Sequence, residues 1–395
     1  MLEKTIVLKN ASVYGEDQII RQGTITILKG KIKDFGHDVH LGDKEAEVIE
    51  LPETYHIVPG MIDVHIHGAA GADTMDATFE ALETIAKILP QEGTTSFLAT
   101  TMTQEQSKIE KALENAGLFI EAGQVEGTAE TLGIHLEGPF ISEKRAGAQP
   151  VGAIIKPDLE LFKQLQELAS GHIKLVTIAP EIEGSLDVIS YLREKNVVAS
   201  IGHSDATYEE VVKGMKAGAS HVTHLYNGMR GLHHREPGVV GAALLHDELT
   251  TELIADGIHV RPELISLTFK QKGNEKVVLV TDAMRAKCLG DGQYDLGGQE
   301  VTVQKETATL KDGTLAGSII KMNTAVKNMM QFTGCSISDI IQMTSANPAK
   351  ELNIFDRKGS LAPGKDADIV VLDEDFEVVM TFCKGKIAYR RDDEA

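Results

Sequence analysis

Hydrophobic and polar positions divide this chain into three stretches. Residues 1–57 alternate β-branched and polar side chains over short runs, TIVLKNASVYG, GTITILKGKIKDFG and EVIELPETYHIV, bounded by Gly, Asp and Pro. A period of two between turn formers predicts β-strands. Residues 355–395 read the same way, with DADIVVLD and EVVMTFCKGKIAYR. The tetrapeptide Lys-Gly-Lys-Ile occurs in both stretches, at Lys29–Ile32 and Lys384–Ile387. Both ends are expected to fold together into one small β-domain beside a larger central domain, residues 58–354.

In the central stretch the pattern changes to strand–helix alternation. Eight short apolar runs predict strands at Met61–His67, Thr94–Thr100, Thr131–Glu137, Lys174–Pro180, Val197–His203, His221–Tyr226, Thr250–Ala255 and Lys276–Asp282. Their starts lie 23 to 43 residues apart, room for a helix in each gap. Helical spacing of apolar residues predicts Thr78–Pro90, Gln104–Ala122, Pro157–Ser170, Ser185–Lys195, Tyr208–Ala217 and Arg261–Lys272, the fifth capped by the Ser204–Thr207 segment. Eight strands alternating with helices imply a parallel sheet closed into a (β/α)₈ barrel, with a doubly wound open sheet as the competing arrangement. After Asp282 a Gly-rich, strand-like insertion, residues 285–317, is long enough to act as a lid. Helices are expected at Met322–Phe332 and Ser338–Met343.

Composition narrows the class. Of 395 residues 42% are apolar, which supports a sizeable core, and 39 Lys and Arg stand against 59 Asp and Glu, a formal charge of −20. That balance speaks against nucleic acid and anionic membranes as partners, though one well-placed Arg can still hold a phosphate. Cys288, Cys335 and Cys383 are odd in number and far apart, so neither a disulfide framework nor a Cys-based zinc motif is expected. With no long apolar segment at the N-terminus or elsewhere, the chain is expected to be cytoplasmic.

The candidate chemistry lies late in the predicted strands. In PGMIDVHIHG, residues two apart share a face, so His65 and His67 point to the same side at a strand end. Glu137 ends the third strand, His203 the fifth, His224 the sixth and Asp282 the eighth. A lone buried His is more often a hydrogen-bonded core residue. Six metal-competent side chains at the C-terminal ends of one barrel, where barrel enzymes keep their catalysis, form a joint pattern. Four histidines and a carboxylate exceed the three protein ligands of a single catalytic zinc and fit two divalent metals bridged by Glu137. Asp282, beside water activated by a metal, is placed as general base for hydrolysis of an amide or related bond. His135, two before Glu137, is expected to pack behind the site; His172, His221, His233, His234 and His246 are read as non-catalytic.

Taken in order, PGMIDVHIHG, HLEGPF, IGHSDAT, THLYNGM, REPGVVG, ADGIHV, VTDAM, TLAGS and LAPGKDADIVVLD resemble the amidohydrolase superfamily and, within it, its amino-sugar-phosphate deacetylases. The resemblance spans the whole chain. It implies a (β/α)₈ barrel with a β-sandwich built from both chain ends, and removal of the acetyl group of N-acetyl-D-glucosamine 6-phosphate to give D-glucosamine 6-phosphate and acetate. It implies a main metal site of Glu137, His203 and His224, a second metal on His65 and His67, iron or zinc as the ions, and Asp282 as acid–base. Substrate contacts carried over by motif are Ala148, Gln149, Asn227, Gly228, His259 and the lid residues Leu315, Ala316 and Gly317. Arg235 resembles an arginine that reaches the phosphate from a neighbouring subunit, which implies a homodimer. One departure stands out, because Gln149 occupies a place where other members carry a His. The rival readings are another amidohydrolase, a cyclic amidase or base deaminase that commonly uses a carboxylated Lys where this chain has Glu137, and an inactive binding protein on the same fold.

Overall fold

The computed structural model describes residues 4–37 and 46–391. The outermost residues of both β-rich ends, 1–3 and 392–395, lie outside the described residues, as do 38–45.

Eight parallel strands form the central barrel: β1 (Met61–Ile66), β2 (Thr94–Thr101), β3 (Glu130–Glu137), β4 (Ile173–Ile178), β5 (Val198–Ile201), β6 (His221–Val222), β7 (Thr250–Ile254) and β8 (Val277–Val280). Each pairs with the next in chain order. Strands covered on both faces read as continuous apolar runs, and β8, VVLV, is buried throughout. Closure between β8 and β1 runs through the residues just past them. The Asp282 N–H donates to the His65 carbonyl (2.8 Å) and the His67 N–H to the Ala283 carbonyl (2.9 Å). The buried Asp63 carboxylate accepts from the Thr281 hydroxyl at 2.5 Å. The seam of the barrel therefore sets His65 and His67 beside Asp282.

Helices α1 (Phe79–Ile88), α2 (Gln106–Ala122), α3 (Leu159–Leu168), α4 (Ser185–Glu194), α5 (Tyr208–Ala217), α6 (Gly238–Leu245), α7 (Pro262–Lys272) and α8 (Met322–Thr333) lie in the connections. Caps fix several starts, as where Thr207 accepts from the Glu210 N–H and the Glu210 carboxylate returns to the Thr207 N–H. Helix α6 departs from the sequence expectation, which had no helix there. Its sequence GVVGAALL is apolar on every side and seven of its eight residues are buried, so it carries no amphipathic period to read.

The chain ends form one eight-stranded sheet in which Ile369–Leu372 pairs antiparallel with His56–Pro59, joining the C-terminal strands to the N-terminal ones. Leu8, Ile25, Ile57, Leu361, Ile369 and Phe382 share its core, as expected of a small sandwich built from both ends. The insertion after β8 is a three-stranded antiparallel sheet, Gly292–Leu296, Gln299–Gln304 and Thr307–Thr309, with its own core around Leu296, Val301 and Val303. Its root is pinned by Lys287, whose buried ammonium lies 2.6 Å from Glu92.

Candidate active site

The side chains singled out at strand ends converge. His65 Nε2 lies 3.5 Å from Glu137 Oε1 and 3.4 Å from Asp282 Oδ1. His67 Nε2 lies 3.3 Å from Glu137 Oε2 and 3.3 Å from Asp282 Oδ1. His203 and His224 bring their Nε2 atoms to 3.1 and 3.2 Å from Glu137 Oε1, and to 3.1 Å from each other. One correction concerns the strands themselves: β5 and β6 stop at Ile201 and Val222, short of the two histidines. His203, His224 and Asp282 then sit in the left-handed backbone region, with φ of 46°, 31° and 47°. That conformation is uncommon for side chains with a Cβ and persists where surrounding structure holds it. Here it turns two ligand imidazoles and the Asp282 carboxylate off the strand line toward one point.

The donor set fits divalent metal. Glu137, His203 and His224 form one group whose ligand atoms lie within 4.8 Å of one another, and His65, His67 and Asp282 form a second. Tetrahedral ligands at about 2.0–2.1 Å from an ion stand roughly 3.3 Å apart, close to the His203–His224 spacing. The Nδ1–H of His203 donates to the Arg145 carbonyl (2.8 Å), which leaves the Nε2 lone pair facing inward. His65 Nε2 is buried without a hydrogen-bond partner, an orphan that an ion would satisfy. The electrostatics agree. Burial works against charge on His67, yet hydrogen bonds to Asp282 and Glu137 push its pKa up to about 10. Burial also opposes ionisation of Glu137, but His65 and the hydrogen bonds from His203 and His224 hold its carboxyl well below the usual range. So dense a set of carboxylates draws positive charge into the site.

A third grouping, His65, His135 and Glu252, is already consumed by internal bonds. His65 Nδ1 donates to Glu252 (2.8 Å), and His135 engages the Val64 carbonyl and the Thr177 hydroxyl (2.7 Å). Thr177, Thr223 and Ser200 continue that chain beneath the site, so its floor is a connected polar layer. His135 packs behind the ligands, as expected.

Glu252 is the site residue that sequence reasoning missed. Fully buried on β7, its carboxylate takes the His65 Nδ1–H, the His224 backbone N–H (3.0 Å) and His221 Nε2 (3.3 Å). Burial raises its pKa, but His65 and His221 outweigh that and hold it well below the ordinary value. The signal was present: a carboxylate inside the apolar run TTELIAD of an inner barrel strand must find partners.

Above the ligands lies a cavity of about 220 Å³, lined by Ala148, Gln149, Asn227, Gly228, His259, Leu315 and Gly317 together with the ligand side chains. Gln149 has both ends of its amide committed: Nε2 donates to Glu137 Oε2 (2.7 Å) and Oε1 accepts from the Thr103 N–H (2.8 Å). The ring of His259 is held by Asp256 at 2.6 Å. Ala316 does not line the cavity; it packs into the core of the lid. Arg235 stands outside its own chain's cavity, on an exposed loop before α6, with Nη1 2.7 Å from His234.

A barrel with imidazole and carboxylate donors gathered at its C-terminal mouth defines a metal-dependent hydrolase class, and the chain belongs to the amidohydrolase family, whose model matches residues 56–388. It is 50% identical over 390 residues, spanning 98% of each chain, to the N-acetylglucosamine-6-phosphate deacetylase of Bacillus subtilis. Among solved structures it is similar to the N-acetylglucosamine-6-phosphate deacetylase of Thermotoga maritima, with a TM-score of 0.87 and 37% identity over 98% of this chain and 100% of that one. It is similar also to a mutant of the Mycobacterium smegmatis enzyme in complex with N-acetyl-D-glucosamine-6-phosphate, with a TM-score of 0.91 and 30% identity over 98% and 100%.

Proposed function

We propose that this chain removes the acetyl group from N-acetyl-D-glucosamine 6-phosphate, giving D-glucosamine 6-phosphate and acetate. The observation that carries the reading is the placement of Asp282 against His65 and His67, the two histidines that also approach Glu137, in a chain so similar to deacetylases of this substrate. Glu137, His203 and His224 would hold one ion. His65 and His67, with Glu137 shared between the two groups, would hold a second, and imidazole with carboxylate suits zinc or iron. A bound divalent ion supplies Lewis acidity, polarising the acetyl carbonyl and bringing the pKa of water down toward about 7. Asp282 takes the proton of the attacking water on a carboxylate oxygen and then delivers it to the departing amine nitrogen. Gln149 and Glu252 fix the groups that face the reacting atoms, Gln149 by gripping Glu137 and Glu252 by setting the His65 tautomer. Leu296, Leu315 and Met102 give the cavity apolar walls that limit water.

Among the described residues no helix is long and apolar enough to cross a membrane. The free thiols of Cys288, Cys335 and Cys383 suit a reducing compartment, and we place the reaction in the cytoplasm. Incubating the metal-loaded protein with N-acetyl-D-glucosamine 6-phosphate and following acetate tests the function directly. Absence of release, or faster turnover of a cyclic amide, would reject it.

Two further outcomes are expected. The wild-type protein should carry up to two ions per chain, and the double variant His65→Ala, His67→Ala should lose one and keep the other; a single ion in fully loaded wild-type protein would make the pair vestigial. Glu252→Gln turns an NH₂ group toward one of three donors that now meet oxygen. Metal affinity should then fall about 10- to 100-fold, the scale for losing a group that orients a ligand. Dialysis against a graded chelator measures this, and unchanged retention would reduce Glu252 to packing.

A further inference from the structure

The two Lys-Gly-Lys-Ile turns take no part in the site above, yet the fold brings them together. Gly30 and Gly385 meet back to back, with φ of 72° and 74°. A Cβ on Gly385 would stand 2.8 Å from the Gly30 Cα, and one on Gly30 would stand 2.9 Å from the Lys384 carbonyl oxygen, so only glycine allows the approach. As a result Lys29, Lys31, Lys384 and Lys386 share the lining of one cavity of about 670 Å³, between the β-domain and the N-terminal ends of β3 and β4. Lys174 at the start of β4 and Arg357 complete the set.

The charge balance here is opposite to that of the whole chain. Six cationic side chains face three carboxylates among the described lining residues, in a protein of formal charge −20. The carboxylates are already engaged. Asp366 lies 2.5 Å from Lys31 and 2.7 Å from Arg357, Glu130 lies 2.9 Å from Arg357 and 3.1 Å from Lys384, and Glu126 lies 3.7 Å from Lys386. A network that served only to join two domains would balance its charges. Among the described lining residues the cations outnumber the carboxylates around an open volume even with Lys386 set aside, and several of the cations are held in place by their partners. Glu130 and Glu137 are the two ends of β3, so the cavity lies about 23 Å along that strand from the metal ligands.

We propose that this cavity binds a phosphorylated small metabolite carrying at least two negative charges, at a site separate from the deacetylation centre. Phosphate oxygens accept charge-assisted hydrogen bonds from ammonium and guanidinium groups, and the volume falls in the usual range for small-molecule sites. An extended polyanion such as nucleic acid would meet the acidic remainder of the surface, which favours a compact ligand.

The test uses the metal-loaded protein and two probes, fructose 1,6-bisphosphate and ADP, by titration calorimetry at about 0.1 M salt. Saturable binding of one probe per chain is expected, with Kd below about 1 mM and weakening as salt rises. Asp282→Asn and Arg235→Ala should bind as the wild type does. The double variant Lys29→Gln, Lys384→Gln should bind about tenfold or more weakly while its unliganded deacetylation rate stays unchanged. Lys174→Gln, on the barrel side of the cavity, should weaken binding independently and serves if the double variant does not fold. Failure of both probes to saturate at 10 mM would overturn the proposal. So would affinity that survives the lysine variants, or that is lost in Arg235→Ala.

Discussion

Asp282→Asn is expected to keep its metals and lose about 10²-fold or more in turnover, the usual scale for removing a general base. The backbone at this position is fully committed: its N–H donates to the His65 carbonyl (2.8 Å) and its carbonyl accepts from the Ser318 N–H (2.7 Å). The amide therefore replaces the carboxylate in place, with the same shape and the same left-handed φ. Lost is the acceptor for the proton of water and, later, the donor to the amine. Burial opposes the charge of Asp282, but His65 and His67 outweigh it and hold the carboxyl below its usual range, so the wild-type group stands ready as a base at neutral pH. The fall should appear in kcat with KM little changed, since the group acts on the transition state more than on the bound substrate. Metal content measured on the same sample separates this from simple loss of ions. Near-normal turnover would remove Asp282 from the mechanism.

What the sequence made legible follows from where its signals were local. Eight apolar runs with room for a helix between them led to eight strands, because strands buried on both faces need continuous apolar sequence. His65 and His67 could be paired from alternation alone. The parts that stayed hidden depend on contacts distant in sequence or on unusual backbone. Nothing in VASIGHSD or HVTHLYNG shows that the strand ends two residues before the histidine and that a left-handed turn aims the ring. Glu252 is joined to His65 across 187 residues, so that partner exists only once the barrel closes, and Gln149 meets Glu137 only through the course of the irregular loop between them. Helix α6 was invisible for the opposite reason: its sequence is apolar throughout, and a period needs a polar face to be seen.

Arg235→Ala should raise KM for the phosphorylated sugar by about 10²-fold or more, the cost of removing one side of a close charge pair, yet leave the slow reaction on unphosphorylated N-acetylglucosamine almost unchanged. The guanidinium is outside the cavity of its own chain, on a loop whose Leu232 is 60% exposed. We propose, from its resemblance to an arginine that reaches the phosphate from a neighbouring subunit, that this loop meets a second copy of the chain. If Arg235 serves the partner subunit, each working site draws its base from one chain and its phosphate clamp from the other. Mixing Arg235→Ala chains with Asp282→Asn chains then has a sharp expected result. Each variant alone is nearly inactive, but in every heterodimer one site combines the Asp282 of the first chain with the Arg235 of the second, while the other site carries both lesions. Random exchange between equal amounts should restore about a quarter of the wild-type sites. If subunit exchange is verified with differently tagged chains and no activity returns, Arg235 acts within its own chain or has no part in binding the phosphate.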